Sequence, residues 1–311
     1  MIRALIAWPL ALAAAVWAVA RYALPDFAVE VVALIAFTPQ ATAAALLALV
    51  ICAVLRKWAA AALALVAAAA LVLAVAPRAL GGPDERPGRE LRIVTVNVRL
   101  GQAAPRAIVE LARRERADVV LIQELTPLLV SALDGAGFAA GYPQRVLRPG
   151  LGGSGLGVYS RFPLGSPRGR AGGIAAATAR VPGATPVELV AVHTRSPRSS
   201  EDFLRWRRDL RALPRARRSG PTRILAGDFN ATLDHRELRT VIDSGYVDAA
   251  DAVGAGLHPT WPETRRIPAA VAIDHVLVDP RIAVRSVEIH PVRYTDHRAL
   301  VARVALPTPE S

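Results

Sequence analysis

The sequence predicts a mixed α and β globular part carried behind an apolar, helical membrane part, and three observations predict it. Composition breaks near residue 80: the chain is mostly Ala, Leu and Val before that point and an ordinary mixture rich in Arg and Pro after it. Before the break stand three apolar stretches, each near the roughly 17–25 residues that cross a bilayer as a helix. After it, short β-branched runs alternate with amphipathic stretches, and several of those runs end in a carboxylate, carboxamide or imidazole.

The 311 residues allow one large or two ordinary domains with a sizeable core. Basic residues number 38 against 26 acidic, a net charge of +12, and Lys57 is the only lysine. This arginine enrichment reads as compositional bias on a solvated surface. A basic surface still favours anionic partners such as nucleic acid, acidic lipid and phosphate esters. Cys52 is alone and lies in an apolar stretch, so no intrachain disulfide forms.

The apolar stretches cover about residues 4–20, 31–55 and 58–76, and none shows the polar face of a soluble helix. Thr38-Pro39-Gln40 interrupts the middle one, which reads as a kinked span or as a broken, re-entrant segment. Arg3 and the Arg56-Lys57 turn place the amino terminus and that turn in the cytoplasm, while the loop between mixes Arg21 with Asp26 and Glu30. Three crossings then put everything after Ala76 outside. A second reading takes the first stretch as a cleaved signal peptide, with Arg3, an apolar run and Ala18-Val19-Ala20; the globular part is extracytoplasmic in both. Residues 77–90, with Pro77, Gly81, Gly82, Pro83, Pro87 and Gly88, read as a flexible linker to a domain over 91–306, followed by a tail, 307–311.

Within the domain, Arg92-Ile93-Val94-Thr95-Val96-Asn97-Val98 has the pattern of a strand buried on both faces, and Asn97 is out of place in it. A buried Asn needs hydrogen-bond partners, either core neighbours or a site. A helix through Ile108, Leu111 and Ala112 leads to the strand 118–124, which ends at Glu124; this acid could equally start a helix. The glycine-rich residues 150–157 match no phosphate-cradling spacing and read as a mobile loop before a strand that closes at Phe162-Pro163. Strand 187–193 ends in His193. Phe203, Trp206, Leu210 and Leu213 recur at helical spacing, with Arg205, Arg207, Arg208 and Arg211 on the solvated faces.

The run Arg223-Ile224-Leu225-Ala226-Gly227-Asp228-Phe229-Asn230 follows. Residues two apart at a strand end point to one side, so Asp228 and Asn230 can reach one small polar target, although an Asp/Asn turn has the same look. A strand 272–278 carries Asp274 near its start, and Asp296-His297 opens the last strand. Asn97, Glu124, His193, Asp228, Asn230, Asp274, Asp296 and His297 thus all sit at strand ends. So many charged groups in one cleft need a metal or a substrate to offset their repulsion.

The ordered set Gln123-Glu124, Gly227-Asp228-Phe229-Asn230, Ile273-Asp274-His275 and Thr295-Asp296-His297 resembles the endonuclease/exonuclease/phosphatase superfamily, the DNase I-like enzymes, over nearly all of 91–306. The resemblance implies a four-layer α/β sandwich of two packed sheets with the site at one edge. It implies Glu124 as the principal Mg²⁺ ligand, Mn²⁺ being the alternative ion, with Asn97 and Asp296 nearby or sharing the ion as further metal ligands. Asp228 would orient or deprotonate the attacking water with help from Asn230. His193 and Asn230 would hold phosphoryl oxygens, and His297, oriented by Asp274, would stabilise charge or move a proton. One departure is visible: Gly152-Gly153-Ser154-Gly155 supplies no acid to partner His193. The implied activity is metal-dependent hydrolysis of a phosphate ester, a phosphodiester of nucleic acid or phospholipid, by an integral membrane enzyme with no indicated protein partner. The other class that fits is a catalytically retired domain binding a phosphorylated ligand.

Overall fold

Two six-stranded sheets lie face to face with helices on their outer sides, in a computed structural model that describes residues 1–166, 175–217, 219–264, 266 and 269–309. Residues 310 and 311 of the expected tail lie outside the described residues. Preceding the sheets is a helical bundle: α1 (Ile2–Ala23), α2 (Val29–Ile35), α3 (Thr38–Val54) and α4 (Trp58–Val75). The remaining helices are α5 (Pro105–Arg114), α6 (Pro127–Gly135), α7 (Phe138–Gly141), α8 (Ser200–Ala212), α9 (Arg236–Ile242) and α10 (Ala249–Ala252).

The first sheet has the order β11-β12-β1-β2-β4-β3, from β1 (Arg89–Asn97), β2 (Val119–Gln123), β3 (Gln144–Arg148), β4 (Leu156–Ser160), β11 (Ala283–Pro291) and β12 (Arg298–Leu306). The second runs β5-β6-β7-β8-β10-β9, from β5 (Leu164–Gly165), β6 (Ala175–Ala179), β7 (Val187–His193), β8 (Thr222–Asp228), β9 (Val247–Asp248) and β10 (Asp274–Val278). This is the expected four-layer sandwich.

Period-two alternation explains the double burial of the central strands. In β1, Leu91 and Ile93 enter the core between the sheets with Leu121, Leu189, Ile224 and Val276, whereas Val94 and Val96 pack outward against Ile108 and Leu111 of α5. In β8, Ile224 faces inward and Leu225 outward, against Phe203, Trp206 and Leu210 of α8. Arg207 and Arg211 do not simply face solvent: both pair with Glu237, tying α8 to α9.

Small residues make the bundle possible. Ala7, Ala11, Ala14 and Ala18 of α1, Ala45 and Ala48 of α3, and Ala60, Ala64 and Ala67 of α4 are buried, and lack of bulk lets helix backbones approach closely. Two helices, Ile2–Ala23 and Trp58–Ala79, are long and apolar enough to cross a membrane. The middle stretch is not one straight span: α2 and α3 meet at 67° around Thr38-Pro39, where Pro39 sits in the first turn of α3. Counted as one broken span, the pair brings the number to three.

Between the bundle and β1 the chain is held at several points. A 3₁₀ turn, Ala76–Ala79, buries Arg78, Gly82 N–H donates to Ala252 O (3.0 Å), and Asp84 N–H donates to Val284 O (2.8 Å). Arg78 and Arg21 converge on buried Asp234, Arg78 with both terminal nitrogens (2.6 and 2.8 Å) and Arg21 through Nε (2.5 Å). Asp26 accepts Glu237 N–H (2.9 Å), and Val32 O accepts a hydrogen bond from His235 Nε2 (2.8 Å). Arg21 and Asp26, loop charges by sequence, are therefore buried contacts with the domain.

Candidate active site

Strand register brings the polar strand ends together. The parallel pairs β1/β2 and β7/β8 align Asn97 with Gln123 and His193 with Asp228; the antiparallel pair β8/β10 sets Asp274 opposite Asp228. The β1/β12 register pairs Thr95 with Leu300, so His297, just before β12, arrives beside Asn97. The edge of both sheets thus carries one cluster. Local backbone geometry sharpens it: Glu124 (φ 59°) and Asn230 (φ 46°) leave their strands through left-handed turns that aim their side chains back over the sheet ends. Gly227 has φ 149°, and a Cβ there would lie 2.0 Å from Val192 O, so only glycine lets β7 pass so close to Asp228.

Asp228 is the hub. Its Oδ1 accepts Asn230 N–H (2.8 Å) and its Oδ2 accepts Asn97 Nδ2 (2.9 Å), with His193 Nε2 3.7 Å and His297 Nε2 3.8 Å away. Burial raises its pKa and Asp274 adds to the rise, while the two histidines oppose it, which leaves a carboxylate more basic than usual. His297 Nδ1 lies 2.9 Å from Asp274 Oδ2. Burial works against its charged form, but Asp274 and Asp228 outweigh it and push the pKa up to about 9. With a carboxylate at each ring nitrogen, His297 is an imidazolium at neutral pH.

Glu124 is tied by Leu100 N–H to Oε2 (2.7 Å) and by Asn97 Nδ2 to Oε1 (3.1 Å), with His193 Nε2 3.5 Å from Oε1. Asn97 turns its nitrogen, not the expected ligand oxygen, toward the carboxylates, because its Oδ1 accepts Arg99 N–H (2.9 Å). Asn230 Nδ2 donates to Thr194 O (2.9 Å), bracing the β7 and β8 ends against each other. Asp296 stands between Trp261 Nε1 (3.4 Å) and Arg99 Nε (3.8 Å). The loop at Gly153 adds no acid, and the carboxylates beside His193 are instead Glu124 (3.5 Å) and Asp228 (3.7 Å); a Cβ on Gly153 would make ordinary contact with His193 Cε1 at 3.4 Å.

The donor set fits a hard divalent cation. Four carboxylates gather here, and Asp274 Oδ1 is buried with no hydrogen-bond partner. Asp228, Asp274 and His297 come within metal-ligand spacing of one another. A protonated His297 has no lone pair to give, so in that state the trio can move a proton but cannot bind an ion through the ring. Sequence reasoning missed Arg99, the Leu100 N–H and Trp261, whose ring lies 6.4 Å from that of His297. A backbone donor has no residue signature. Trp261 comes from a loop 36 residues distant in sequence from its neighbour (297 − 261).

The architecture is shared. A structure of an endonuclease/exonuclease/phosphatase from Beutenbergia cavernae DSM 12333 superposes with a TM-score of 0.52 at 21% identity, covering 70% of this chain and 72% of its own. A humanized D. rerio TDP2 gives 0.56 at 18% identity, covering 69% of this chain and 98% of its own. An AP endonuclease from Archaeoglobus fulgidus gives 0.53 at 14%, covering 68% and 98%. No curated protein sequence matches the chain. The sequence model of the Endonuclease/Exonuclease/phosphatase family matches residues 94–297, more than half the chain and every member of the cluster just described. The chain belongs to that family, whose members are hydrolases acting on phosphate esters.

Proposed function

We propose that the protein is a membrane-anchored, Mg²⁺-dependent phosphodiesterase whose domain lies outside the cell. The observation that carries the reading is the line Asp274, His297, Asp228, in which His297 Nδ1 lies 2.9 Å from Asp274 Oδ2 and Nε2 3.8 Å from Asp228 Oδ2. Asp228 takes a proton from water as its oxygen attacks phosphorus. The ester P–O bond breaks opposite, and the His297 imidazolium donates from Nε2 to the charge that develops, with Asp274 accepting from Nδ1 and orienting the ring. His193 and Asn230 hold phosphoryl oxygens. Glu124 and Asp296 hold the cation, with Asn97 positioning Glu124; when bound, the cation neutralises charge on the phosphate. The buried alanine seams and the span-length helices support the anchor, and the Arg56-Lys57 turn supports the orientation.

To test this, the full chain in detergent is given bis(p-nitrophenyl) phosphate with Mg²⁺ and then with EDTA. Release of nitrophenolate that EDTA abolishes, and that Glu124→Gln loses, is expected. Turnover unaffected by EDTA would refute the metal role; no turnover of any phosphodiester, with phosphorylated ligands still bound, would identify a retired domain instead.

A further inference from the structure

Outside residues 1–80, the exposed large apolar side chains among the described residues are Leu100, Leu128, Leu151, Leu204 and Tyr294. Four of the five stand at, or within two residues of, chain positions that contact Glu124, Asn97 or the turn at Gly101. Leu100 N–H binds Glu124. Leu128 lies in the first turn of α6, two residues beyond Thr126, which packs on Gly101. Leu151 is two residues from Gly153, which rests against Glu124 and His193. Tyr294 precedes Thr295, whose hydroxyl donates to Asn97 O (2.7 Å). Leu128 is 81% exposed, Leu151 85% and Tyr294 69%, so none of the described residues covers them. Apolar groups ringing a polar cleft mark an interaction surface.

The same edge of the sandwich meets the apolar helices. Asp234 and His235, which hold Arg21, Arg78 and Val32, follow Asn230 by four and five residues. Gln40 of α3 donates to Ala270 O (2.7 Å), and Ala270 N–H donates to the carbonyl of Trp261 beside His297. Beyond that contact α2 and its flanks show Phe27, Leu34 and Phe37 to the outside. The Asp234 ion triad and the Gln40 contact thus fix the bundle to residues 234–235 and 270, in the loops that follow Asn230 and Trp261.

We propose that the occupant of this rim is the bilayer surface, and that the site takes its phosphodiester from a membrane lipid. The proposal rests on the hydrolytic reading and names its substrate. The rim seats among the lipids, so a headgroup phosphate comes to Glu124 and Asp228 without leaving the interface.

The test uses the full chain in phospholipid vesicles. On a Cys52→Ala background, Leu128→Cys, Leu151→Cys and, as control, Glu90→Cys are labelled with an environment-sensitive fluorophore. Glu90 lies seven residues back along β1 from Asn97, about 23 Å at roughly 3.3 Å per residue. Blue-shifted emission quenched by brominated lipid at 128 and 151 but not at 90 is expected, as is headgroup release from the vesicles. Aqueous emission at all three positions would overturn the surface, and cleavage of added single-stranded DNA with the lipids left intact would overturn the substrate. Failure to cut the nitrophenyl diester would be a failure of the hydrolytic reading, and the probe result would still decide the surface.

Discussion

His297 has a carboxylate at each ring nitrogen, and that single fact sets most of the site's chemistry. Asp274 can only accept from Nδ1, and in the imidazolium form the second proton, on Nε2, faces Asp228. His297→Asn keeps a donor but loses the ionisable ring; kcat is expected to fall about 10²–10⁴-fold, the range for a positioned acid or base, with the melting curve unchanged. Gly227→Ala places a methyl against Val192 O and is expected to destabilise the domain by roughly 1–3 kcal/mol, read as a lower denaturation midpoint. The eight polar positions were legible in the sequence because a polar residue closing an apolar strand contradicts its own surroundings. The orientation of Asn97 was not. Its amide direction depends on Arg99 N–H, a donor fixed by two consecutive left-handed residues, Arg99 (φ 46°) and Leu100 (φ 55°), neither of which is glycine.

At the scale of elements, the turn 231–235 joins strand β8, which ends at Asp228, to the helical bundle. Asp234→Ala leaves the buried Arg21 and Arg78 guanidiniums without their shared carboxylate, a loss of about 3–5 kcal/mol for a broken buried pair. The expected readout is new protease sensitivity in the 76–88 segment of the detergent-solubilised chain. His235 gives the docking a pH dependence. Its Nδ1 accepts Thr232 N–H (2.7 Å) and its Nε2–H donates to Val32 O, so the ring is neutral, and burial lowers its pKa below the ordinary 6.5. An unfolded chain binds that proton more readily, so this contribution is complete above about pH 6.5 and declines as pH falls below it. Asp234 behaves differently: burial alone would raise its pKa, but Arg78 and Arg21 hold it below 3.8, so its contribution survives until the medium is more acidic than that. Thermal melts between pH 8 and pH 4 are expected to lose stability from pH 6.5 downward, and His235→Gln is expected to flatten that slope. The central strands were readable because both faces are apolar. The edge strands β3 and β5 were not: β3 is half exposed and Arg-rich, and β5 has two residues.

For the whole molecule, the sequence separates a membrane part from a globular part, and the structure joins them more closely than a proline- and glycine-rich connector suggests. The signal for docking was present in Arg21, Asp26 and Arg78, but charges near apolar helices read equally well as topology determinants, and only their burial against Asp234 and Glu237 N–H distinguishes the two. The measurement that tests the central claim most directly is a kinetic cycle on the full chain, with Mg²⁺ and a phosphodiester, comparing Asp228→Asn, His297→Asn and the double variant. Residues that act as one unit are not additive. Each single change is expected to cost about 10²–10⁴ in kcat, and the double about as much as the worse single. Singles within a factor of about two of the parent, or a double that multiplies two independent losses, would contradict a shared role for Asp228 and His297 in one proton-transfer line.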